Sequence, residues 1–283
     1  MTFGLCTIDT GPAVLSQHGV APLVRLGVTT PTVRATLSDW DTLCDLLEDA
    51  DRSGKLAKLS TPDTDVTFLP PLADPPAIYC AGANYHDHAR EMGTDPPQAT
   101  FHFLVSPASL TGHRSTVHRP EGCQRLDWEV ELAIVIGRPA SAIHPAAAAD
   151  HIAGYTVAND LSARDHVRAS GLGIDWLRHK SYAGFTPLGP AIVPRRLVPD
   201  ATDLELTLTV NGQVKQHSNT NQMISGVGDQ VAALSRIAPL RPGDVVLTGT
   251  PAGTAAAHGH YLHPGDVVVA EITGIGRLEN RIA

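Results

Sequence analysis

"RLDWEVELAIVIG", from Arg125 to Gly137, is the most regular stretch of the chain and the one on which its fold turns. Apolar residues fall at Trp128, Val130, Leu132, Ile134 and Ile136, a strict alternation that predicts a β-strand. Successive strand side chains point to opposite sides, so the other face carries Asp127, Glu129, Glu131, Ala133 and Val135. Acids therefore share a face that turns apolar one residue pair later. Glu129 and Glu131 stand at i and i+2, roughly 6.5–7 Å apart and aimed the same way. Ionised carboxylates so placed repel each other, and part-burial raises the cost of their charge. Two arrangements relieve that cost: a wet, acidic strand face, or a divalent cation where the oxygens converge. Oxygen-only ligation favours Mg2+, Mn2+ or Ca2+ over zinc. Ala133 and Val135 on the same face weaken the wet reading.

Composition sets the surroundings of that strand. The chain has 283 residues, 42% hydrophobic and 18% charged, enough to bury a large core in one domain or in one with a small companion. Its net charge of −8 and the lack of any Lys/Arg block argue against nucleic acid and anionic membranes as partners. Cys6, Cys44, Cys80 and Cys123 are scattered without a CxxC pair, which reads as reduced thiols rather than a disulfide or zinc framework. No apolar run approaches the ~18 residues of a membrane span, and no basic-then-apolar leader opens the chain. A cytoplasmic protein with a small-molecule partner is the expectation.

Along the chain, short β-like runs around "FGLCTID" and "APLVRLGV" precede a helix signal in which Ser38 can cap, Asp41 occupies the first turn, and Leu43, Leu46 and Leu47 form a stripe. "STPDTDVTFLPPLADPP" (60–76) breaks both helix and strand patterns and reads as a linker. We therefore expect residues 1–70 to form a small N-terminal α/β domain with its linker, and residues 71–283 the main domain. The latter is mostly strands with scattered helices. "NYHDHAREM" and "HPAAAADHI" read as short helices, the second with Pro145 in its first turn. "LELTLTVNGQVKQH" is a hairpin on an Asn-Gly turn, and Val227, Val231, Leu234 and Ile237 stripe a further helix. "RPGDVVLTG" and "HPGDVVVAE" each feed a strand from a Pro-Gly-Asp turn. The pattern gives an α+β, β-rich body without the βαβ rhythm or glycine-rich phosphate loop of a nucleotide binder.

Several further residues could carry chemistry. Asp160, closing the strand-like "AGYTVAND", could be a third carboxylate for a cation or simply a turn former. Arg164 and Asp165 follow it, and Asp165 could pair with Arg164 or with a neighbour. On a helix, His88 and Glu91 share a face at i and i+3, and a carboxylate beside imidazole raises its basicity and fixes its tautomer. His86 is as close in sequence, and spacing does not choose between the two histidines. Lys180 precedes a Gly/Pro-rich loop and could be an ordinary surface lysine. "LTGTPAGT" (247–254) could hold a carboxylate on its amides and hydroxyls, or be no more than a tight turn.

Taken in order, "GANYHDHAREM", "DWEVELAIVIG", "GYTVANDLSARD", "DWLRHKSYAGFTPLGP", "VNGQVKQHSNTNQM", "RPGDVVLTGTPAG" and "GIGRLENRI" resemble the fumarylacetoacetate hydrolase family over roughly residues 76–283. The resemblance implies a mixed β-sandwich roll, usually dimeric, with Mg2+ or Mn2+ under a mobile lid. It implies Glu129, Glu131 and Asp160 as metal ligands, His88 with Glu91 as the catalytic dyad, and Lys180 as a catalytic cation. Arg164 and Thr250 would contact the substrate, a 2-oxo or 1,3-diketo acid. The implied activity is hydrolytic cleavage of a C–C bond through a metal-stabilised enolate, with decarboxylation or enol–keto isomerisation at the same site as the alternative. Two positions depart from the family pattern: Val167 stands where many members have Gln, and Val105 where they have Lys. Valine donates no hydrogen bond, and an oxyanion donor is worth on the order of 10²–10³ in rate, so the departures favour the alternative.

Overall fold

Strand Val130–Ile136 is buried at every residue, and this settles why both of its faces end apolar. Val130, Leu132, Ile134 and Ile136 enter one core, Ala133 and Val135 another. The strand lies inside a large sheet, described with the rest of the chain over residues 3–283 in a computed structural model. In order across that sheet come Gly19–Pro22, Gly11–Ser16, Phe3–Ile8, Thr186–Pro194, Ile152–Asn159, Val130–Ile136, Val245–Leu247, Ile78–Gly82 and Phe101–Val105. A second sheet runs Gln213–Asn219, Glu205–Val210, Val267–Ile272, Gly276–Ile282 and Thr116–Val117. Leu206, Leu208, Val268, Ala270 and Ile272 of the second sheet meet the first face of the central strand, the packing of a β-sandwich. Helix Trp40–Arg52 covers the opposite face through Leu43 and Leu47. The molecule is α+β and strand-rich, as the pattern predicts.

The N-terminal strands are not separate from this sheet. Leu5 stands opposite Ile192, so Phe3–Ile8 continues the ladder beyond Thr186–Pro194. Phe3, Leu5 and Val14 share a core with Ala133 and Val135. The Pro-rich segment 60–76 also departs from the linker expectation. Its Phe68–Leu69 pairs with Thr7 and Ile8, because Phe68 is buried against Cys6 and Ile8 and draws the backbone into the ladder.

Local signals fare unevenly. The 3-10 turn Arg34–Asp39 carries the chain into the helix, so Asp39 occupies the cap position, and the Ser38 hydroxyl donates to the Ala35 carbonyl instead. Leu46 and Ile237, expected in apolar stripes, are exposed at 36% and 76%. Residues Pro145–His151 wind as a 3-10 helix. Asn211 and Gly212, at φ 51° and 79°, turn the predicted hairpin between Val210 and Gln213, as a type I′ turn requires. The two Pro-Gly-Asp units feed strands in different sheets, Val245–Leu247 and Val267–Ile272. All four cysteines are buried and unpaired. Among the described residues no helix is long and apolar enough to cross a membrane.

Candidate metal and proton-transfer site

The ladder itself gathers the acids. Val130 stands opposite Asn159 and Glu131 opposite Ala158, and continuing that antiparallel register sets Asp160 beside Glu129. The Asp160 amide donates to the Glu129 carbonyl at 2.9 Å, and the Asn159 side chain accepts from the Glu129 amide at 2.9 Å. Residues opposite one another in a ladder project to the same side. Glu129, Glu131 and Asp160 thus offer oxygens within 4.8 Å of one another, all from buried residues.

Two cations reach the cluster. Lys180, on the short helix Trp176–Lys180, bridges Glu129 Oε2 at 2.7 Å and Asp160 Oδ2 at 2.6 Å. Arg164 spans Asp127 Oδ2, through Nε at 2.8 Å, and Glu129 Oε1, through Nη2. Burial is the largest influence on Glu129 and works against its charge, yet Lys180 and Arg164 together hold its carboxyl down to about 2. Asp160 is pushed up to about 6, chiefly by burial, with Lys180 opposing. Glu131 lies well above the usual carboxylate range because burial, Asp160 and Glu129 all act on it while its near partner is the Gly249 amide at 2.6 Å. Four carboxyl groups, those of Asp127, Glu129, Glu131 and Asp160, therefore meet two side-chain cations, so the fully ionised set would exceed its cations by two negative charges. An unbalanced buried charge is costly unless an opposite charge joins it. Asp160 Oδ1, buried, has no hydrogen-bond partner among the described residues. The residues fit a hard divalent cation on three counts: charge, an all-oxygen donor set and a spare acceptor.

The second cluster flanks the first. Helix His86–Glu91 follows strand Ile78–Gly82, and Tyr85 at its start is fully buried. His88 Nδ1 lies 3.2 Å from Glu91 Oε2, whereas His86 is exposed, so geometry separates the two histidines where spacing did not. Glu91 Oε1 accepts from the Gly253 amide at 2.8 Å and lies 3.3 Å from His258 Nε2. With Nδ1 facing Glu91, His88 keeps Nε2 for another partner.

The turn after Val245–Leu247 closes the site. Thr250 is 5% exposed, and its hydroxyl donates to the Val130 carbonyl at 2.9 Å while accepting from Gln216 Nε2. What Thr250 has left to offer is its amide, which donates to no group among the described residues. Val105 is buried in the core, and Val167 ends the 3-10 turn Arg164–His166. Asp165 turns away to Arg125 and the Gln124 and Arg125 amides instead of pairing with Arg164. Sequence reasoning gave no role to Asp127, Gln216 or Asn159. Gln216 carries a readable signal, a polar residue at an inward hairpin position opposite Leu208.

The sequence profile described as fumarylacetoacetate (FAA) hydrolase C-terminal matches residues 77–283. The chain belongs to the fumarylacetoacetate hydrolase family of enzymes. A mitochondrial oxaloacetate tautomerase of Homo sapiens is 37% identical over 263 residues, 92% of this chain and 83% of that protein. Among solved structures, a fumarylacetoacetate hydrolase from Exiguobacterium antarcticum is 30% identical with a TM-score of 0.79, covering 99% of this chain and 98% of that one. A 2-hydroxyhepta-2,4-diene-1,7-dioate isomerase from Mycobacterium marinum is 32% identical with a TM-score of 0.73, covering 100% and 98%. Family membership accounts for the strand-rich fold; the named activities of these relatives span tautomerase, hydrolase and isomerase.

Proposed function

We propose that the protein is a divalent-metal-dependent enzyme that interconverts the enol and keto forms of a 2-oxo dicarboxylic acid of the oxaloacetate type. The convergence of Glu129, Glu131 and Asp160, more carboxyl groups than the neighbouring cations can balance when ionised, carries the reading. Mg2+ or Mn2+ held by these three residues would supply the positive charge that stabilises an enolate. Lys180 and Arg164 add fixed cations beside the same oxygens, and the free Thr250 amide offers a donor to a substrate carboxylate. His88, oriented by Glu91, would take the proton from the enol oxygen on Nε2 and return it to the adjacent carbon. One proton leaves oxygen and one arrives on carbon, so no water is consumed. Isomerisation makes no tetrahedral oxyanion, which suits a chain with Val105 and Val167 at the departing positions. The tautomerase named among the relatives points the same way.

A second reading, hydrolytic C–C cleavage of a diketo acid such as an acylpyruvate, is favoured by the His88–Glu91 contact, because an oriented imidazole also activates water. The test follows the ultraviolet absorbance of enol-oxaloacetate with Mg2+ or Mn2+, and in parallel scores acid release from acylpyruvates and CO2 from oxaloacetate. We expect faster loss of the enol, and a fall of about 10²–10⁴ in His88→Ala with metal binding retained by calorimetry. Acylpyruvate cleavage without any effect on enol-oxaloacetate would establish the second reading instead. Partners remain within the same proposal: a small 2-oxo acid and a second copy of the chain in a homodimer, working in the cytoplasm.

A further inference from the structure

Asp127 shares the acidic face with Glu129 but is not one of the clustered three. Its side chain is wholly buried and fully employed. Oδ1 accepts from the Trp128 and Ala255 amides at 2.8 and 2.6 Å; Oδ2 accepts from the Ala256 amide at 3.0 Å and from Arg164 Nε at 2.8 Å. Beyond its neighbour Trp128, these partners belong to two parts of the site. Arg164 continues to Glu129 through Nη2, and its Nη1 donates to no group among the described residues while the side chain stays 22% exposed. Ala255 and Ala256 follow Gly253, whose amide holds Glu91. One carboxylate thus fastens both the arginine beside the metal ligands and the segment that orients the dyad.

We infer that Asp127 is a positioning residue: it fixes the Arg164 guanidinium with its edge to Glu129 and its free Nη1 toward a substrate carboxylate, and it pins the 253–256 segment against Glu91. A guanidinium is a planar fork whose donors have fixed directions, so holding Nε also sets where Nη1 points. An amide in place of the carboxylate can satisfy only one of the two edges. Either its oxygen meets Trp128 and Ala255 and its NH2 faces the donors of Ala256 and Arg164, or the reverse. The inference rests on the dicarboxylic-acid reading above for the identity of the ligand.

The test is a double-mutant cycle on the magnesium-loaded protein, with oxalate binding measured by calorimetry and the KM and kcat of turnover beside it. Asp127→Asn should weaken oxalate by about ten- to hundredfold, the range for losing a hydrogen bond to a charged group. In an Arg164→Gln background the same change should add little, because the group it acts through is gone. Arg164→Lys keeps the charge but cannot bridge Asp127 and Glu129, so it should reproduce the Asp127→Asn defect and decides the matter if Asp127→Asn fails to fold. Multiplicative losses in the double variant, or an Asp127→Asn protein with lowered melting temperature but unchanged oxalate affinity and KM, overturn the inference alone. A wild-type protein that neither binds oxalate nor converts any 2-oxo acid overturns the functional reading and this inference with it.

Discussion

Glu131 is the carboxylate with the least local compensation. Glu129 has Lys180 and Arg164, Asp160 has Lys180, but Glu131 has the Gly249 amide. Ionising it inside the fold is therefore costly, a cost that a bound cation would offset, and the two roles can be separated. Glu131→Gln keeps an acceptor for Gly249 and removes the charge. We expect magnesium affinity to fall by at least about a hundredfold, the upper range for weaker outer-shell changes. In EDTA at neutral pH the same variant should melt higher than wild type, by roughly 2–4 °C for each ~1 kcal/mol that holding the Glu131 carboxyl in this site costs the fold. Calorimetry and thermal melting in chelator check the two halves; a lower melting temperature would mean that Glu131 is balanced within the protein. The three clustered acids were legible in the sequence because i, i+2 alternation and a strand-end Asp are local. Asp127 was not, and Thr250 came only with the family resemblance, since the partners that define them, the Ala255 and Ala256 amides and the Val130 carbonyl, are some 120–130 residues away.

At the scale of elements, the turn around 248–256 matters more than any helix. Gly253 sits at φ +99°, and a Cβ there would lie 2.1 Å from the Lys215 carbonyl. The turn therefore packs its backbone against the hairpin, which lets the Gly253 amide reach Glu91. Gly253→Ala must displace the turn or the hairpin, at about 2 kcal/mol or more of stability. We expect turnover at least tenfold lower with magnesium binding retained, measured by urea unfolding, kinetics and calorimetry; an unaffected kcat would detach this turn from the dyad. Element signals succeeded where chemistry is local, as at Asn211-Gly212. They failed where distant packing decides: Phe68 pulls a Pro-rich segment into the ladder, and a 3-10 turn takes the cap from Ser38.

For the molecule as a whole, one buried histidine links the Phe68–Leu69 strand to Gly276–Ile282 of the second sheet. His113 is 6% exposed, sets its ring edge-on to Phe68 at 5.3 Å, and accepts from the Glu279 amide at 3.1 Å. Burial first, then Arg114, lowers its pKa from 6.5 to about 4. The unfolded chain takes up this proton at higher pH than the folded one, so its contribution is fully present above about pH 6.5 and lost as pH falls through 4, up to about 3 kcal/mol. Urea midpoints from pH 7 to 4 should decline less steeply in His113→Gln, which keeps an acceptor for Glu279; an identical slope would remove His113 from the account. Fold class was readable from the chain because strand alternation and turn chemistry agree over its length. The continuity of Phe3–Ile8 with the sheet was not, because it rests on the Leu5–Ile192 pairing across nearly two hundred residues.

The double-sided burial of Val130–Ile136 carries a last consequence. Segments enclosed on both sides open only with the whole protein, whereas short peripheral pieces open on their own. Glu131 thus stands on the doubly buried strand, with Glu129 just before it and Asp160 just after the equally buried Ile152–Asn159, while His88 and the glycine turn lie at the margin of the site. Local opening is therefore expected first in those marginal segments, with the acid-bearing strands the last to give way.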